Sequence, residues 1–235
     1  MRRIFNEMMV NILPVEGPSP NFMIYGNAWY RDAAMVAMAL EKTGNLSQIE
    51  DWLKSIDKIY DNRRSADIDE TDNLGQVLFL QSLLPEEARN EALIAQVIAE
   101  AARIAEEAGT NYICGITDYE EHPVYQTRWL KFGLESLGLT EESAKYSVPD
   151  AYDSYAALCW FDGLGEIGSD MRELDWAKEN DTVFPYLRIA KLHFYKIRTA
   201  IDYETYPYTY EAENKLHSWH AAELLLYMYD VDTFV

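Results

Sequence analysis

The stretch that most constrains the fold is residues 33–40, which contain no polar side chain. A surface helix keeps a polar stripe, so a helix that is apolar all round must be buried on most sides. Asn27 is a suitable N-cap before this stretch, and Lys42, Gly44 and Asn45 are stop signals after it. The sequence therefore predicts a buried helix whose first turn carries polar residues.

The first residues of this helix have the chemistry of a small polar binding site. Trp29 precedes Arg31 and Asp32, so an aromatic ring, a guanidinium and a carboxylate stand at one end of an apolar helix. Aromatic faces stack on sugar rings, while Arg and Asp form hydrogen bonds with hydroxyl groups. The alternative is that Arg31 and Asp32 form a buried pair that satisfies itself or the neighbouring backbone.

Residues 29–34, Trp-Tyr-Arg-Asp-Ala-Ala, resemble the W-x-R-D-(A/S)-(A/T) segment of the family 15 glycoside hydrolases, the glucoamylases and their bacterial relatives. In that family the Arg-Asp pair holds the sugar in the subsite of the cleaved residue, and the fold is a toroid of six helical hairpins. Related W-x-R-D segments occur in other toroid glycosidases, so the resemblance extends to the six-hairpin superfamily. It implies sugar-binding roles for Trp29, Arg31 and Asp32.

A second segment, residues 217–224, is similar to the W-(S)-H-A-E segment near the end of the family 15 toroid. The spacing differs, because one extra Ala separates His220 from Glu223. The similarity implies a closing helix over residues 214–229, with Trp219 and His220 among the sugar contacts. The catalytic acids of the family lie on segments that have no match here, so the resemblance implies no catalytic residues.

Apolar and amphipathic helices alternate along the chain, which is typical of the inner and outer helices of a toroid. The predicted helices cover residues 4–13, 29–40, 47–60, 74–84, 85–108, 129–137, 154–164, 183–200 and 214–229. Residues 112–117 and 124–127 are predicted to form a short β-hairpin. We therefore expect an all-α fold, a single (α/α) toroid domain over residues 1–235. The toroid would be incomplete, because it has fewer helices than six hairpins contain.

Composition restricts the partners. The chain has 20 Lys and Arg against 40 Asp and Glu, a net charge of −20, which argues against nucleic acid and anionic membranes. A neutral sugar is compatible with this charge, and 17 Tyr and 6 Trp suit carbohydrate contact and core packing equally. No secretion signal or long apolar run is evident, so we expect a cytoplasmic protein. Uncovered flanks of an incomplete toroid favour a homodimer.

The two cysteines, Cys114 and Cys159, form either one disulfide or two free thiols. Both lie in apolar sequence surroundings, which favours buried, reduced thiols. His122, His217, His220 and Glu223 are weak candidates for metal ligands, since the last three follow a three-residue spacing that drifts around a helix. Polar lining of a funnel or simple capping explains them better. We therefore expect no metal and no cofactor.

Glycoside hydrolysis needs two carboxyl groups across the sugar, one protonated and one ionised. Acidic residues stand before predicted helices or in turns, namely Asp32; Asp69, Glu70 and Asp72; Asp118, Glu120 and Glu121; Asp150 and Asp153. In a toroid, Glu70, Asp72 and Asp153 would face Asp32 across one funnel. We predict Asp72 and Asp153 as the catalytic pair and Glu70 as a substrate contact. The alternative is that each Asp caps the N-terminus of a helix.

Tyr125, Arg128 and Trp129 are further candidate contacts for the ligand, with core packing as the equal alternative. No phosphate loop or nucleophile motif is present. The sequence thus predicts a glycosidase-like hydrolase that acts on a neutral oligosaccharide by general acid and base carboxylates. The alternative is a toroid domain that binds a carbohydrate or a protein without catalysis, and a lyase-like or terpenoid-like toroid lacks its own motif here.

Overall fold

The computed structural model describes residues 2–61, 69–151, 153, 155, 218–219, 221–222 and 225–226. This part of the chain is mostly helical, and its strands form two short antiparallel hairpins. The elements are α1 (Arg2–Met9), β1 (Ile12–Leu13), β2 (Gly17–Pro18), α2 (Tyr30–Lys42), α3 (Glu50–Ser55), α4 (Asn73–Ser82), α5 (Glu91–Ala108), β3 (Ile116–Thr117), β4 (Glu120–Glu121), α6 (Pro123–Ser136) and α7 (Thr140–Ser143).

The chain divides into two compact units. The first comprises the described residues of Met1–Ile49 and Met171–Val235, and the second those of Glu50–Asp170. The helices predicted over residues 154–164 and 183–200 lie outside the described residues. Among the described helices, none combines the length and the apolar character needed to cross a membrane.

The buried helix predicted from residues 33–40 is confirmed as α2, in which every residue from Tyr30 to Leu40 is buried. Its N-cap is Trp29 rather than Asn27, because the backbone is extended at Trp29 and its carbonyl accepts the first helical bond, from Ala33 N–H. At the other end, Thr43 Oγ1 donates to the Ala39 carbonyl at 2.8 Å. Gly44 then takes a positive φ of 69°, which ends the helix as the sequence predicts.

In the first unit, Asn11 fixes the chain between α1 and α2. Its side chain donates to the Glu7 carbonyl at 2.9 Å and accepts from Phe22 N–H at 2.9 Å. The predicted helix over residues 4–13 is therefore too long, because it stops at Met9 and the chain turns into the β1–β2 hairpin. The C-terminal end of the first unit reaches this region through Ser218 N–H, which donates to the Pro20 carbonyl at 2.8 Å.

The second unit is built on α4 and α6, whose backbones come into direct contact. A Cβ atom added to Gly75 would overlap the backbone of Trp129 and Leu130. A Cβ added to Gly133 would lie 2.8 Å from Leu78 Cβ. The absence of a side chain at both positions allows the two helices to approach, and α5 packs against α4 while α7 packs against α6.

Two predicted helices of the second unit are shorter than the sequence suggests. In the amphipathic stretch 47–60 only α3, Glu50–Ser55, is α-helical, and a 3₁₀ turn at Leu46–Gln48 precedes it. The α-helix ends early because side chains elsewhere bind the carbonyl groups of Leu53 and Ile56. Gln81 Nε2 donates to the Leu53 carbonyl at 3.3 Å and Asn90 Nδ2 to the Ile56 carbonyl at 3.5 Å. The stretch 85–108 begins with a 3₁₀ turn at Glu86–Ala88 and becomes α-helical only after Asn90, whose Oδ1 accepts from Leu93 N–H at 3.1 Å as an N-cap.

A short β-hairpin is present, but its second strand differs from the prediction. β3 pairs with β4, whereas residues 124–127 belong to α6. Pro123 explains the difference, because its fixed φ and missing N–H suit the first position of a helix. The turn residues Asp118 and Tyr119 have positive φ angles of 47° and 73°, as a tight two-residue hairpin requires.

Candidate functional site

The predicted sugar contacts at the start of α2 lie together in the first unit. Arg31 and Asp32 are buried, with 4% and 2% of their surfaces exposed. The rings of Tyr25 and Trp29 lie beside them in sequence, with centroids 4.7 Å apart and planes tilted by 52°. Both aromatic residues keep part of their surface accessible. Two buried charged residues at the positive end of a buried helix thus adjoin an accessible aromatic pair.

The residues predicted from the C-terminal segment are described in part. Ser218 and Trp219 are helical, and Trp219 is half-buried. Ala221, Ala222, Leu225 and Leu226 are helical and buried, which confirms a helix with an apolar face at these positions. His217, His220 and Glu223 lie outside the described residues.

Asp72 is fully buried in the second unit at the start of α4. Its Oδ1 accepts from Thr117 Oγ1 at 2.9 Å, and its Oδ2 accepts from Gln76 Nε2 at 2.8 Å. Thr117 Oγ1 in turn accepts from Gln126 Nε2 at 2.9 Å. This chain of hydrogen bonds joins α4, the β3–β4 hairpin and α6. The carboxylate does not cap the N–H groups of α4, so its role differs from the capping alternative.

The Gln126 side chain also forms two hydrogen bonds with the backbone of Gly115. Its Nε2 donates to the Gly115 carbonyl at 2.8 Å, and its Oε1 accepts from Gly115 N–H at 3.1 Å. The Gln126 amide thus pairs with the N–H and the carbonyl of Gly115 as a neighbouring strand would, which fixes the position of this loop. The network around Asp72 is therefore arranged to position the β3–β4 hairpin on the two central helices.

Asp153 is the centre of a second buried network. Its Oδ1 lies 2.9 Å from His122 Nδ1 and accepts from Tyr155 N–H at 2.8 Å, and its Oδ2 accepts from Tyr125 N–H at 2.9 Å. Tyr125 is in the first turn of α6, so Asp153 caps that helix from a distant part of the sequence. Asp153 thus acts as a helix cap, but it caps α6 and not the helix predicted over residues 154–164.

The charge of Asp153 is stabilised by its surroundings. Burial by itself would raise the pKa of this carboxyl, but hydrogen bonds from His122, Tyr125 N–H and Tyr155 N–H outweigh burial and hold the pKa below its usual value. Because an ionised carboxylate can only accept, the proton on the His122 ring lies on Nδ1. Asp153 therefore fixes both the tautomer and the orientation of the imidazole.

The β3–β4 turn is bound by Glu70, which precedes α4, and is attached to the Asp153 network through Asp118 and Tyr155. Glu70, which is buried, accepts from Asp118 N–H at 2.8 Å, and Tyr155 Oη donates to Asp118 Oδ2 at 2.9 Å. The Tyr155 ring also stacks on His122 with centroids 3.9 Å apart and planes 11° apart. Non-glycine residues with positive φ are strained, and these contacts hold Asp118 in that conformation.

Of the remaining predicted contacts, Tyr125, Arg128 and Trp129 are all buried on α6. The Tyr125 ring lies edge-on to Tyr155 at 5.5 Å and to Trp129 at 6.5 Å. These contacts agree with the core-packing alternative for Tyr125. Arg128 has a different environment, since its Nη1 atom finds no hydrogen-bond partner in the part of the chain that the structure describes.

Among the described residues, no group of three His, Cys, Asp or Glu side chains is arranged to hold a metal ion. Cys114 is a half-buried free thiol. Burial raises its pKa to about 11, together with the charge and hydrogen bond of Glu121 and the charge of Asp153. The thiol is therefore protonated at neutral pH and is not an activated nucleophile. Cys159 lies outside the described residues.

Sequence reasoning does not anticipate His122, Thr117 or Tyr155 as members of these networks. The sequence suggests His122 only as a metal ligand, because its partner Asp153 lies 31 residues further along the chain. The one available signal is the position of His122 directly before Pro123, which marks the start of α6. Thr117 and Tyr155 give no signal of their own.

The predicted site residues thus fall into two groups. Trp29, Arg31, Asp32 and Trp219 belong to the first unit, and the others that are described belong to the second unit. The resemblance to family 15 glycoside hydrolases remains a prediction based on residues 29–34 and 217–224. No family model matches the chain, and searches of curated proteins and of solved structures find no match.

Proposed function

We propose that this protein recognises a neutral carbohydrate at the N-terminal end of α2. The observation that carries the proposal is the buried Arg31 and Asp32 directly after the accessible Tyr25–Trp29 ring pair. Ring faces match the apolar faces of a pyranose, while a guanidinium and a carboxylate supply donors and acceptors for hydroxyl groups. The resemblance of residues 29–34 to toroid glycosidases supports the same ligand class.

We also propose that the helices form an (α/α) toroid. Support comes from the alternation of helix types, because α2 and α4 are buried on nearly all faces while α5 buries only one stripe. Apolar helices that alternate with amphipathic ones suit an inner and an outer layer.

Recognition without hydrolysis is the function that the geometry supports best. A glycosidase needs one carboxyl that is protonated at neutral pH, which requires a raised pKa. Asp153 has a lowered pKa, and both of its oxygens accept hydrogen bonds. Both oxygens of Asp72 also accept hydrogen bonds from buried side chains. These two carboxylates are thus arranged as acceptors rather than as a general acid.

A glycosidase-like hydrolase that acts on a neutral oligosaccharide is the second candidate. The specific observation in its favour is that Asp153 is held ionised, as the basic member of a catalytic pair must be. The resemblance to the glucoamylase family supports this candidate as well. In this hypothesis Asp72 and Asp153 remain the predicted catalytic residues.

Calorimetric titration with neutral oligosaccharides, combined with hydrolysis assays on the same compounds, tests both candidates. We expect saturable binding that is lost in Arg31→Gln and retained in Arg103→Gln. The control removes the same charge from an exposed ion pair on α5. Absence of binding to every compound, or equal binding by Arg31→Gln, would refute recognition at α2. Turnover that disappears in a folded Asp153→Asn variant would establish the hydrolase instead.

A further inference from the structure

Arg128 on α6 is a buried cation without a counter-ion in the described part of the chain. Only 8% of its surface is exposed, and its Nη1 atom has no hydrogen-bond partner among the described residues. The next residue, Trp129, is 1% exposed, and its Nε1 donor also lacks a partner there. Two consecutive residues thus carry buried N–H donors that no described acceptor uses.

Two other cations of the second unit, Lys131 and Arg103, have partners among the described residues. Lys131 on the same helix donates to the Ser143 carbonyl at 2.9 Å, to Ser143 Oγ at 3.1 Å and to the Tyr146 carbonyl at 3.1 Å. Arg103 on α5 pairs with Glu100 at 2.5 Å and with Glu107 at 2.6 Å. The environment of Arg128 is therefore not a general property of cations in this unit.

A guanidinium remains charged at every pH that a protein tolerates, so burial cannot neutralise Arg128. A buried charge is stable only when an opposite charge and hydrogen-bond acceptors accompany it. The planar fork of N–H groups fits the two oxygens of a carboxylate or a phosphate. Helical spacing places Tyr125 and Phe132 on the same face of α6, three residues before and four residues after Arg128.

We propose that Arg128 binds the oxyanion of a small-molecule ligand, a carboxylate or a phosphate. Because only 8% of Arg128 is exposed, its guanidinium is accessible at most to a small group, and the net charge of −20 disfavours a polyanion. This ligand differs from the neutral sugar that the sequence predicts for Arg128. The inference is independent of carbohydrate recognition at α2, because Arg128 belongs to the second unit.

The test uses the full chain, with inorganic phosphate, glucuronate and glucose as probes. Glucuronate differs from glucose by its carboxylate, so the two compounds separate an anion from a sugar ring. We expect phosphate or glucuronate to bind the wild type at millimolar concentration and to raise its unfolding temperature. Preference between the two anions identifies the ligand as a phosphate or a carboxylate. Glucose should leave the Trp129 indole N–H resonance unmoved, whereas the anion should shift it.

Arg128→Gln should weaken anion binding at least tenfold, and Arg103→Gln should leave it unchanged. Without anion, Arg128→Gln should unfold at a higher temperature than the wild type, because it removes an uncompensated buried charge. Arg128→Lys, which keeps the charge but loses the fork, provides a second variant with intermediate affinity. The proposal is overturned if neither anion binds the wild type, if Arg128→Gln binds as tightly, or if the Trp129 resonance does not move.

Discussion

Replacement of Gly75 by Ala should destabilise the protein, because α4 and α6 touch through their backbones at this position. The added Cβ would fall inside the 3.0 Å limit that real Cβ contacts respect, and the atoms that it meets belong to the Trp129 and Leu130 backbone. A backbone cannot rotate away as a flexible side chain can, so the helices must separate.

The magnitude follows from two opposing effects. Overpacking of a well-packed core costs about 1–3 kcal/mol, and a rigid neighbour places this site at the upper end. Ala in the interior of a helix recovers about 1 kcal/mol relative to Gly. The expected net loss is about 2 kcal/mol, or a decrease of about 4–8 °C in the unfolding temperature of a chain of this size.

Urea and thermal unfolding, followed by far-ultraviolet circular dichroism, measure this loss. Gly26→Ala is the matched control, because nothing lies within 4 Å of the Cβ that it adds and the backbone there is not left-handed. Its stability should stay within about 0.5 kcal/mol of the wild type. Equal stabilities of Gly75→Ala and Gly26→Ala would refute the close approach of α4 and α6.

Three further predictions concern the networks of the second unit. Thr117→Val removes a donor to buried Asp72 and an acceptor for Gln126, so it should cost about 2 kcal/mol in urea unfolding, while Thr117→Ser should restore most of the loss. Tyr119→Gly should raise the free energy of unfolding by about 0.5–1 kcal/mol, because glycine adopts the positive φ of 73° without strain. Tyr119→Ala keeps the Cβ, so an equal increase in its stability would show that backbone strain is not the cause. The pKa of Asp153 is lower in the folded protein than its value of about 3.9 in the unfolded chain. The ionised carboxylate therefore stabilises the fold above about pH 3.9, and this stabilisation is lost as the pH falls through the folded-state pKa. Urea unfolding should therefore show Asp153→Asn less stable than the wild type at pH 7, with the difference shrinking toward pH 2; a constant difference would exclude this linkage.

The parts of the fold that are predictable are those set by local pattern. The run at residues 33–40 has no polar residue, and burial is then the only way to remove its apolar surface from water. Helix α4 follows from the same argument over residues 74–84. Gly44 and Gly109 end α2 and α5, as expected of residues that adopt positive φ easily.

The parts that are not predictable depend on contacts between distant residues. The helix predicted over residues 47–60 stops early because Gln81 and Asn90, far along the chain, take its last carbonyl groups. Asp153 has the sequence position of a local helix cap, yet its partners His122 and Tyr125 lie 31 and 28 residues before it. The order of polar and apolar residues within a short stretch of sequence cannot identify partners that lie this far apart.

The candidate sites therefore differ in how they arise. The α2 site is continuous in sequence, from Tyr25 to Asp32, so the order of its residues is enough to suggest it. The role of Arg128 depends on what surrounds it, because only burial and the absence of a described partner distinguish it from Lys131 on the same helix. Two sites of different chemistry in two units can be tested separately.

The most direct test of carbohydrate recognition is the Trp29 indole N–H resonance during titration with a neutral oligosaccharide, assigned by comparison with Trp29→Phe. We expect this resonance to shift saturably while that of Trp129 stays in place, because the proposed sugar site is at α2 and the proposed anion site is at α6. A Trp29 resonance that stays unchanged at saturating sugar, or that shifts equally in Arg31→Gln, would contradict the account.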